Sequence, residues 1–224
     1  LNILINAVKL NLPCAFISLE MSRVDLLARM VGIESSLSSI RVLKGLYAET
    51  EAQKIKEVTE MIKNSKLNIF CNAFTLEQIK VAIRKDVYTR GTRIVVIDYL
   101  QNIINDGRSE YESINQSAKE LQALARDLRI TLIILSQISN EAEKGGGAGG
   151  GFKGAGTIEA TADLAMRLIR NKSEEAPEHE AVKVKIHITK NKHGHSGVID
   201  CYYMDLKSGK FFVDPTLTIN HYQK

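Results

Sequence analysis

The sequence predicts an α/β protein with a doubly wound, mostly parallel sheet, helices on both faces of that sheet, and an antiparallel ribbon at the C-terminal end. Two observations support this fold class. Short apolar runs alternate with longer amphipathic runs, and the last three apolar runs are joined by short polar segments. Strands that are apolar almost throughout are typical of parallel sheets covered on both faces. Helical crossovers between such strands are right-handed.

The individual elements follow from the same pattern. Short apolar runs predict four parallel strands, at residues 14–19, 67–71, 94–98 and 131–136. Two capping boxes, Thr50 with Gln53 and Thr75 with Gln78, predict helix starts, because their side chains satisfy amides of a first helical turn. A longer amphipathic helix is expected over 110–129. The chain itself opens within a helix that ends before Pro13.

The C-terminal part departs from this alternation. Glycine is so dense over 145–156 that neither helix nor strand is expected there, and we predict a mobile loop over 140–156. Further strands are predicted at 162–169, 182–189, 198–206 and 210–213, the last three as the antiparallel ribbon. Residues 214–224 are predicted to be a tail. The whole chain, 1–224, is expected to be one domain.

Composition excludes several classes of protein. The chain has 44% hydrophobic residues and 30 Lys and Arg against 26 Asp and Glu, a net charge of +4, which excludes a disordered chain. No apolar run reaches the roughly 18–20 residues of a transmembrane helix, so no membrane contact is expected. Cys14, Cys71 and Cys201 are far apart, which favours reduced thiols over a disulfide framework or a zinc site. A reducing compartment, the cytoplasm, is therefore the expected location.

Three predicted strands end in side chains suited to nucleotide hydrolysis. Glu20 follows the first strand, Asp98 closes a run of four aliphatic residues, and Gln137 follows the strand at 131–136. In parallel α/β sheets ligands bind beyond the carboxyl ends of the strands. There an aspartate can hold Mg²⁺, a glutamate can polarise water and a glutamine can contact a terminal phosphate. The alternative is that surface strands simply end in polar residues.

The sequence contains no Gly-x-x-x-x-Gly-Lys-Ser/Thr loop, which would cradle the phosphates of a nucleotide. The predicted first helix is of the kind that follows such a loop, so we expect the loop to lie just ahead of Leu1 and the chain to be truncated there. Residues 1–224 alone are then expected not to hydrolyse ATP appreciably. Whether this chain is itself an enzyme is left open.

From Leu1 to about Val213 the sequence resembles the C-terminal ATPase domain of the replicative hexameric DNA helicases, the DnaB-like family, which has a RecA-like core. Five motifs in the family's order carry the resemblance: Ser-Leu-Glu-Met at 18–21, Ile-Asp-Tyr-Leu-Gln at 97–101, Leu-Ser-Gln at 135–137, Gly-Thr-Ile-Glu-Ala-Thr-Ala-Asp at 156–163 and Thr-Lys-Asn-Lys-His-Gly at 189–194.

The resemblance implies a function and a set of roles. It implies an ATP-dependent DNA helicase motor that works as a homo-hexamer on single-stranded DNA, with ATP and Mg²⁺ as cofactors. A primase and a helicase loader are further implied partners. In this family the glutamate matching Glu20 activates the attacking water. The aspartate matching Asp98 coordinates Mg²⁺, and the glutamine matching Gln137 couples the γ-phosphate to DNA.

Lys190 and Lys192 stand where the family usually has a motif ending in an arginine that reaches the neighbouring subunit's nucleotide. The resemblance implies that these two lysines form the finger acting in trans. A lysine offers one compact charge in place of a planar two-pronged guanidinium, so a weaker clamp is expected. The alternative is a basic hairpin exposed to solvent.

The glycine-rich loop matches the family's DNA-channel loop. The resemblance implies that Lys144, Lys153, Gly154 and Gly156 contact DNA, the lysines through phosphates and the glycines through the backbone. The alternative is a flexible linker with incidental lysines.

Two other functions stay open. One is a RecA-type ATPase of the RadA or KaiC-like kind, which can carry a similar late motif. The other is a catalytically inactive fragment that binds DNA or a helicase ring. The motifs at 18–21 and 97–101 favour the helicase.

Overall fold

The structure is a computed structural model that describes residues 1–71, 74–104, 109–137, 155–170 and 181–213. The chain divides into two compact units. The first unit comprises Leu1, Ile3–Leu27 and Lys56–Ala162, and the second comprises Asn2, Ala28–Ile55 and Asp163–Lys224. Each unit is described separately below, and a single domain over 1–224 stays a prediction.

Seven helices and eight strands are numbered in chain order within the described residues. The helices are α1 Asn2–Lys9, α2 Arg23–Ser35, α3 Ser39–Leu43, α4 Glu49–Lys63, α5 Leu76–Arg90, α6 Glu110–Leu128 and α7 Ala155–Thr161. The strands are β1 Cys14–Ser18, β2 Leu67–Cys71, β3 Ile94–Asp98, β4 Thr131–Ile134, β5 Leu164–Arg170, β6 Ala181–Asn191, β7 Gly197–Asp205 and β8 Phe211–Val213. A short 3-10 turn, Leu100–Asn102, follows β3.

The first unit contains the predicted parallel sheet, with strand order β2-β1-β3-β4. All three strand pairs are parallel. Ser18, the last residue of β1, lies beside Cys71 on one side and Asp98 on the other, so these three strands end at the same level. Because the strands are neighbours and parallel, their carboxyl ends lie along one edge of the sheet, and the candidate site lies at that edge.

Both faces of this sheet carry buried side chains, because successive residues of a strand point to opposite sides. On one face the central strands pack against α5 and α6 in a single apolar cluster that includes Ala15, Ile17, Val95, Ile97, Ile79, Ile83, Leu121 and Leu124. Phe16 and Val96 point to the other face and are buried as well. The fold is the predicted doubly wound α/β architecture.

Capping boxes begin two helices of the first unit. The predicted box at α5 is confirmed: Gln78 N donates to Thr75 Oγ1 at 3.3 Å, and Thr75 N donates to Gln78 Oε1 at 3.0 Å. The sequence contains a second box, at α6, that was not predicted. There Glu112 N donates to Ser109 Oγ at 3.3 Å, and the Glu112 side chain accepts from the Ser109 amide.

The predicted helix start at Thr50 is wrong, because α4 begins at Glu49 and Thr50 lies inside it. The amide of Ala48 instead donates to Glu51 Oε2 at 2.8 Å. The same carboxylate binds both terminal nitrogens of Arg41. A glutamate already held by an arginine therefore caps the helix in place of the predicted pair.

The glycine-rich segment was expected to contain no helix up to residue 156, and this is wrong for its last two residues, which begin α7. The rest of 140–156, like the tail at 214–224, lies outside the described residues. Two contacts within the first unit stabilise α7: Ile158 packs against the apolar cluster, and Gln122 Nε2 donates to the carbonyl of Thr161. This packing offsets the entropic cost of ordering glycine.

The second unit contains an antiparallel sheet of order β5-β6-β7-β8. The predicted ribbon of the last three strands is confirmed, and β5 joins it, pairing antiparallel with β6. The ladder is interrupted by an irregularity in each of the β5–β6 and β6–β7 pairs. Tyr203 and Phe212, cross-strand neighbours, stack with ring centroids 5.8 Å apart.

All three cysteines are free thiols. Burial raises the pKa of Cys14 to about 11, with the charge of Asp86 adding to the shift. Burial also raises the pKa of Cys71, and Arg23 opposes that shift. Both thiols therefore stay protonated and unreactive at neutral pH. Within the described ranges, we find no helix with the length and apolar character needed to cross a membrane.

Candidate active site

Glu20, Asp98 and Gln137 lie at the carboxyl edge of the parallel sheet, on three adjacent strands. Asp98 is the last residue of β3, Glu20 comes shortly after β1, and Gln137 comes shortly after β4. Because β1 and β4 flank β3 on its two sides, the three residues belong to one edge of one sheet. This is the placement that the sequence predicts; the role of each residue stays a prediction.

Glu20 is exposed, within a turn built by Ser18. The buried Ser18 Oγ donates to the carbonyl of Met21 at 2.7 Å and accepts from the amide of Met21 at 3.0 Å. This pair of bonds closes the chain around Glu20 and fixes the direction in which it leaves β1. The backbone around Glu20 is therefore well defined, while its side chain is exposed.

Asp98 is only partly exposed and lies at the centre of the edge. Its carbonyl accepts from the amide of Leu19 at 2.8 Å, so the segment that leads to Glu20 is bonded directly to the end of β3.

Gln137 is exposed, and its backbone is bonded to the 3-10 turn after β3. The amide of Gln137 donates to Gln101 Oε1 at 3.4 Å, while Gln101 Nε2 donates to Ser136 Oγ at 2.9 Å and to the Gln137 carbonyl at 3.3 Å. Gln101 therefore joins the two strand ends that carry Asp98 and Gln137.

The edge suits Mg²⁺ bound together with a phosphate ligand. Among the described residues no group of three or more His, Cys, Asp or Glu side chains could hold a metal by itself. Mg²⁺ is commonly held by one or two carboxylates, with phosphate oxygens and water completing its shell. A single partly buried aspartate at a strand end, Asp98, fits that mode of binding.

Lys190 and Lys192 belong to the second unit, near the turn that joins β6 and β7. Lys190 is partly buried within β6, and Lys192 is the first residue of the turn. Lys192 Nζ forms an ion pair with Asp163, and its amide donates to the Asp163 carbonyl at 2.9 Å. In this structure the ammonium group of Lys192 thus binds a carboxylate of its own chain, and a role in trans stays a prediction.

Of the predicted DNA-contacting residues, Lys144, Lys153 and Gly154 lie outside the described residues. Gly156 is in the first turn of α7. Their contact with DNA stays a prediction.

Three residues of these sites were not predicted to act: Ser18, Gln101 and Asp163. Each lies inside one of the motifs that carry the family resemblance, so a signal was present in the sequence. Ser18 bonds Met21, only three residues on, so this contact is local. Gln101 and Asp163 bond residues about 30 or more positions away, and sequence spacing alone does not reveal such contacts.

The parallel order β2-β1-β3-β4, its covered faces and the polar carboxyl edge define an α/β domain of the type that binds ligands beyond its strand ends. A family model, the DnaB-like helicase C terminal domain, matches residues 1–211. The chain belongs to this family.

Similar proteins include replicative helicases from several bacteria. The chain is 27% identical over 197 residues to the replicative DNA helicase DnaB of Treponema pallidum, covering 87% of this chain and 43% of that relative. It is 29% identical over 201 residues to a probable plasmid replicative DNA helicase of Chlamydia muridarum, covering 88% of this chain and 43% of that relative. The chain therefore spans somewhat less than half the length of these relatives.

Solved structures share the fold. One solved ATPase domain superposes with a TM-score of 0.81 at 24% identity, over 92% of this chain and 76% of that one. A DnaB-like replicative helicase, reported with its interactions with primase, gives a TM-score of 0.79 at 24% identity over 92% of this chain and 51% of that one. A KaiC-like protein of Pyrococcus horikoshii OT3 gives 0.60 at 17% identity, over 94% of this chain and 79% of that one.

Proposed function

We propose that this chain is part of the motor domain of a replicative DNA helicase, a protein that hydrolyses ATP and moves along single-stranded DNA to unwind the duplex. Membership of the DnaB-like family supports the proposal. The observation that carries it is the placement of Glu20, Asp98 and Gln137 at or just beyond the carboxyl ends of three adjacent parallel strands. Phosphoryl transfer depends mainly on positioning and on stabilising charge, and this edge offers residues for both.

Each of the three residues has a separate proposed role that follows from the chemistry of its side chain. Asp98 would hold Mg²⁺, which when bound would supply positive charge beside the phosphates. Glu20, exposed on its turn, orients the attacking water and accepts its proton. Gln137 contacts the terminal phosphate through its amide and reports its presence to the chain that follows. ATP and Mg²⁺ are thus the proposed cofactors.

The proposed assembly is a homo-hexameric ring around single-stranded DNA. Lys144, Lys153, Gly154 and Gly156 contact the DNA backbone, which gives binding that depends on salt and little on sequence. A DnaB-like replicative helicase of similar fold was reported with its interactions with primase, and this supports a primase as a partner of this protein. A helicase loader and a location in the cytoplasm, where bacterial DNA is copied, belong to the same proposal.

Substitutions of Glu20 and Asp98 test the proposal, in a protein in which a phosphate-binding loop precedes Leu1. We expect Glu20→Gln to abolish ATP turnover while leaving nucleotide affinity nearly unchanged, because this carboxylate acts mainly in the transition state. We expect Asp98→Asn to weaken Mg·ATP binding as well as turnover. Steady-state ATPase assays and equilibrium binding of a fluorescent ATP analogue measure the two effects.

Glu60→Gln, a substitution of an exposed glutamate on α4 outside the five motifs, is the control and should change neither turnover nor affinity. If the unsubstituted protein hydrolyses ATP but the two site variants bind nucleotide equally well, the separate roles of Glu20 and Asp98 are wrong. If the unsubstituted protein shows no ATPase activity with DNA present, the motor function itself is wrong.

No described residue favours either alternative function. The likeness to a KaiC-like protein, at 17% identity, supports the shared fold alone. A fragment that binds a helicase ring without hydrolysis would show the second of the two outcomes above.

A further inference from the structure

The 3-10 turn that follows Asp98 contacts the segments on both sides of that residue. On the β4 side, Gln101 donates to Ser136 Oγ at 2.9 Å and to the Gln137 carbonyl at 3.3 Å, and it accepts from the Gln137 amide at 3.4 Å. One side-chain amide therefore binds the backbone of Gln137 through both its donor and its acceptor.

On the β1 side, the same turn approaches the segment that carries Glu20. Asn102 Nδ2 donates to the carbonyl of Leu19 at 3.4 Å. Leu19 is in turn bonded through its amide to the Asp98 carbonyl at 2.8 Å. The turn thus connects the two outer segments of the site across the strand that ends in Asp98.

Gln101 bonds residues that lie beyond the end of the β3–β4 ladder. The ladder between β3 and β4 ends at Ile134, and backbone bonds hold Leu135: its amide donates to the Ile97 carbonyl at 3.0 Å, and its carbonyl accepts from the Leu100 amide at 3.0 Å. Beyond Leu135, the bonds to Gln101 continue this restraint. Gln101 and Ser136 are partly buried, whereas Gln137 is exposed.

We propose that Gln101 is a positioning residue that sets the backbone of Gln137 relative to Asp98 and transmits movement of Gln137 to the turn after Asp98. The inference rests on the proposed function, in which Gln137 couples the terminal phosphate to DNA. Without Gln101, Gln137 samples several backbone positions, and binding of DNA changes the rate of hydrolysis less.

Gln101→Met tests the positioning directly, because methionine has a similar length and lacks the amide. In this chain, we expect hydrogen exchange at the Gln137 amide, measured by NMR, to accelerate about three- to tenfold, as loss of a modest hydrogen bond implies. Gln101→Glu keeps an acceptor for the Gln137 amide and should restore part of the protection.

Gln116→Met is the matched control. Gln116 is also a partly buried glutamine, and its Nε2 donates to Glu120 Oε1 at 2.7 Å on α6. This substitution should leave exchange at Gln137 unchanged.

The second readout is the stimulation of ATPase activity by single-stranded DNA, measured in the protein that carries a phosphate-binding loop. We expect Gln101→Met to reduce the ratio of stimulated to unstimulated rate about three- to tenfold, while Gln116→Met keeps the ratio of the unsubstituted protein. A merely structural role for Gln101 would lower stability and both rates together, without changing their ratio.

The outcomes separate the two proposals. If the unsubstituted protein hydrolyses ATP and responds to DNA, but Gln101→Met changes neither Gln137 exchange nor the ratio, the positioning role is overturned and the function stands. Equal effects of Gln101→Met and Gln116→Met also overturn it. If the unsubstituted protein shows no DNA-stimulated hydrolysis, the proposed function fails, and the exchange measurement still decides whether Gln101 positions Gln137.

Discussion

Gly32 is a residue at which the structure leaves no room for a side chain. A Cβ atom at this position of α2 would lie 2.6 Å from the carbonyl oxygen of Leu37 and 3.2 Å from the amide nitrogen of Ser39. Both are backbone atoms, Leu37 lying just before α3 and Ser39 being its first residue. The Leu37 amide is itself bonded to the Gly32 carbonyl at 2.9 Å. The chain therefore crosses α2 closely at this point.

We expect Gly32→Ala to lower the free energy of unfolding by about 1–3 kcal/mol, the usual cost of overpacking. In an open helical position the same change would stabilise by up to about 1 kcal/mol, so here the sign of the effect is reversed. Urea denaturation measures it. Gly45→Ala, where a Cβ has no close neighbour but φ is +66°, isolates the cost of backbone strain. A neutral or stabilising Gly32→Ala would contradict the close approach.

At the scale of elements, Glu51 joins α3 to α4. Its carboxylate accepts from the amide of Ala48 and forms a two-pronged ion pair with Arg41, the shorter contact being 2.8 Å. Arg41 Nε also donates to the carbonyl of Leu46 at 2.9 Å, within the connection between the helices. The hydrogen bond from the Ala48 amide, with help from Arg41, lowers the pKa of Glu51.

This shift predicts a pH dependence. A carboxyl group whose pKa is lowered on folding stabilises the folded chain above its unfolded pKa, and that contribution is lost as the pH falls through the folded pKa. Glu51→Gln should therefore be less stable than the unsubstituted chain at neutral pH, and the difference should shrink as the pH falls below about 4.3, the ordinary pKa of a glutamate. Urea denaturation at several pH values measures this. Glu57→Gln, an exposed glutamate of the same helix, is the control, and a difference that stays constant with pH would contradict the assignment.

At the scale of the proposed assembly, Lys192 is the residue whose proposed role depends most on a neighbouring subunit. Within this chain it pairs with Asp163. In the proposed ring, the hairpin that carries it reaches the next subunit's nucleotide, where such a cation can contribute about 10³–10⁵ in rate as arginine and a part of that as lysine.

Mixing subunits tests action in trans. Subunits with Glu20→Gln and subunits with Lys192→Ala should each be inactive alone. A mixture should recover a fraction of the ATPase activity, because some interfaces then combine an intact Glu20 with an intact Lys192. Mixing two batches of the Glu20→Gln protein is the control. A Lys192→Ala protein with normal activity would indicate an exposed hairpin. A Lys192→Ala protein that hydrolyses ATP normally without DNA, but binds DNA more weakly and with less dependence on salt, would indicate that Lys192 contacts DNA and not the nucleotide.

The fold and the place of the site could be predicted from sequence because both rest on local patterns. Near-continuous aliphatic runs determine buried parallel strands, and an aspartate that ends such a run is placed at the carboxyl edge whatever its neighbours are. The capping box at Thr75 is likewise local, since its two partners are three residues apart. At Thr50 the prediction failed because a competing local pair, Ala48 with Glu51, caps the helix instead. At the start of α7, contacts from elsewhere in the fold outweighed the local signal.

Only the tertiary structure decided which distant side chains meet. Asp86 shows this: an acidic residue on an amphipathic helix suggests solvent exposure, yet it is buried and accepts a hydrogen bond from Asn68 Nδ2 at 2.6 Å and another from Thr92. Gln101 and Gln137, far apart in sequence, are partners because β3 and β4 pair in one register. Local patterns determine elements because neighbouring residues share one backbone conformation. Contacts between elements depend on strand order and register, which no single stretch of sequence contains.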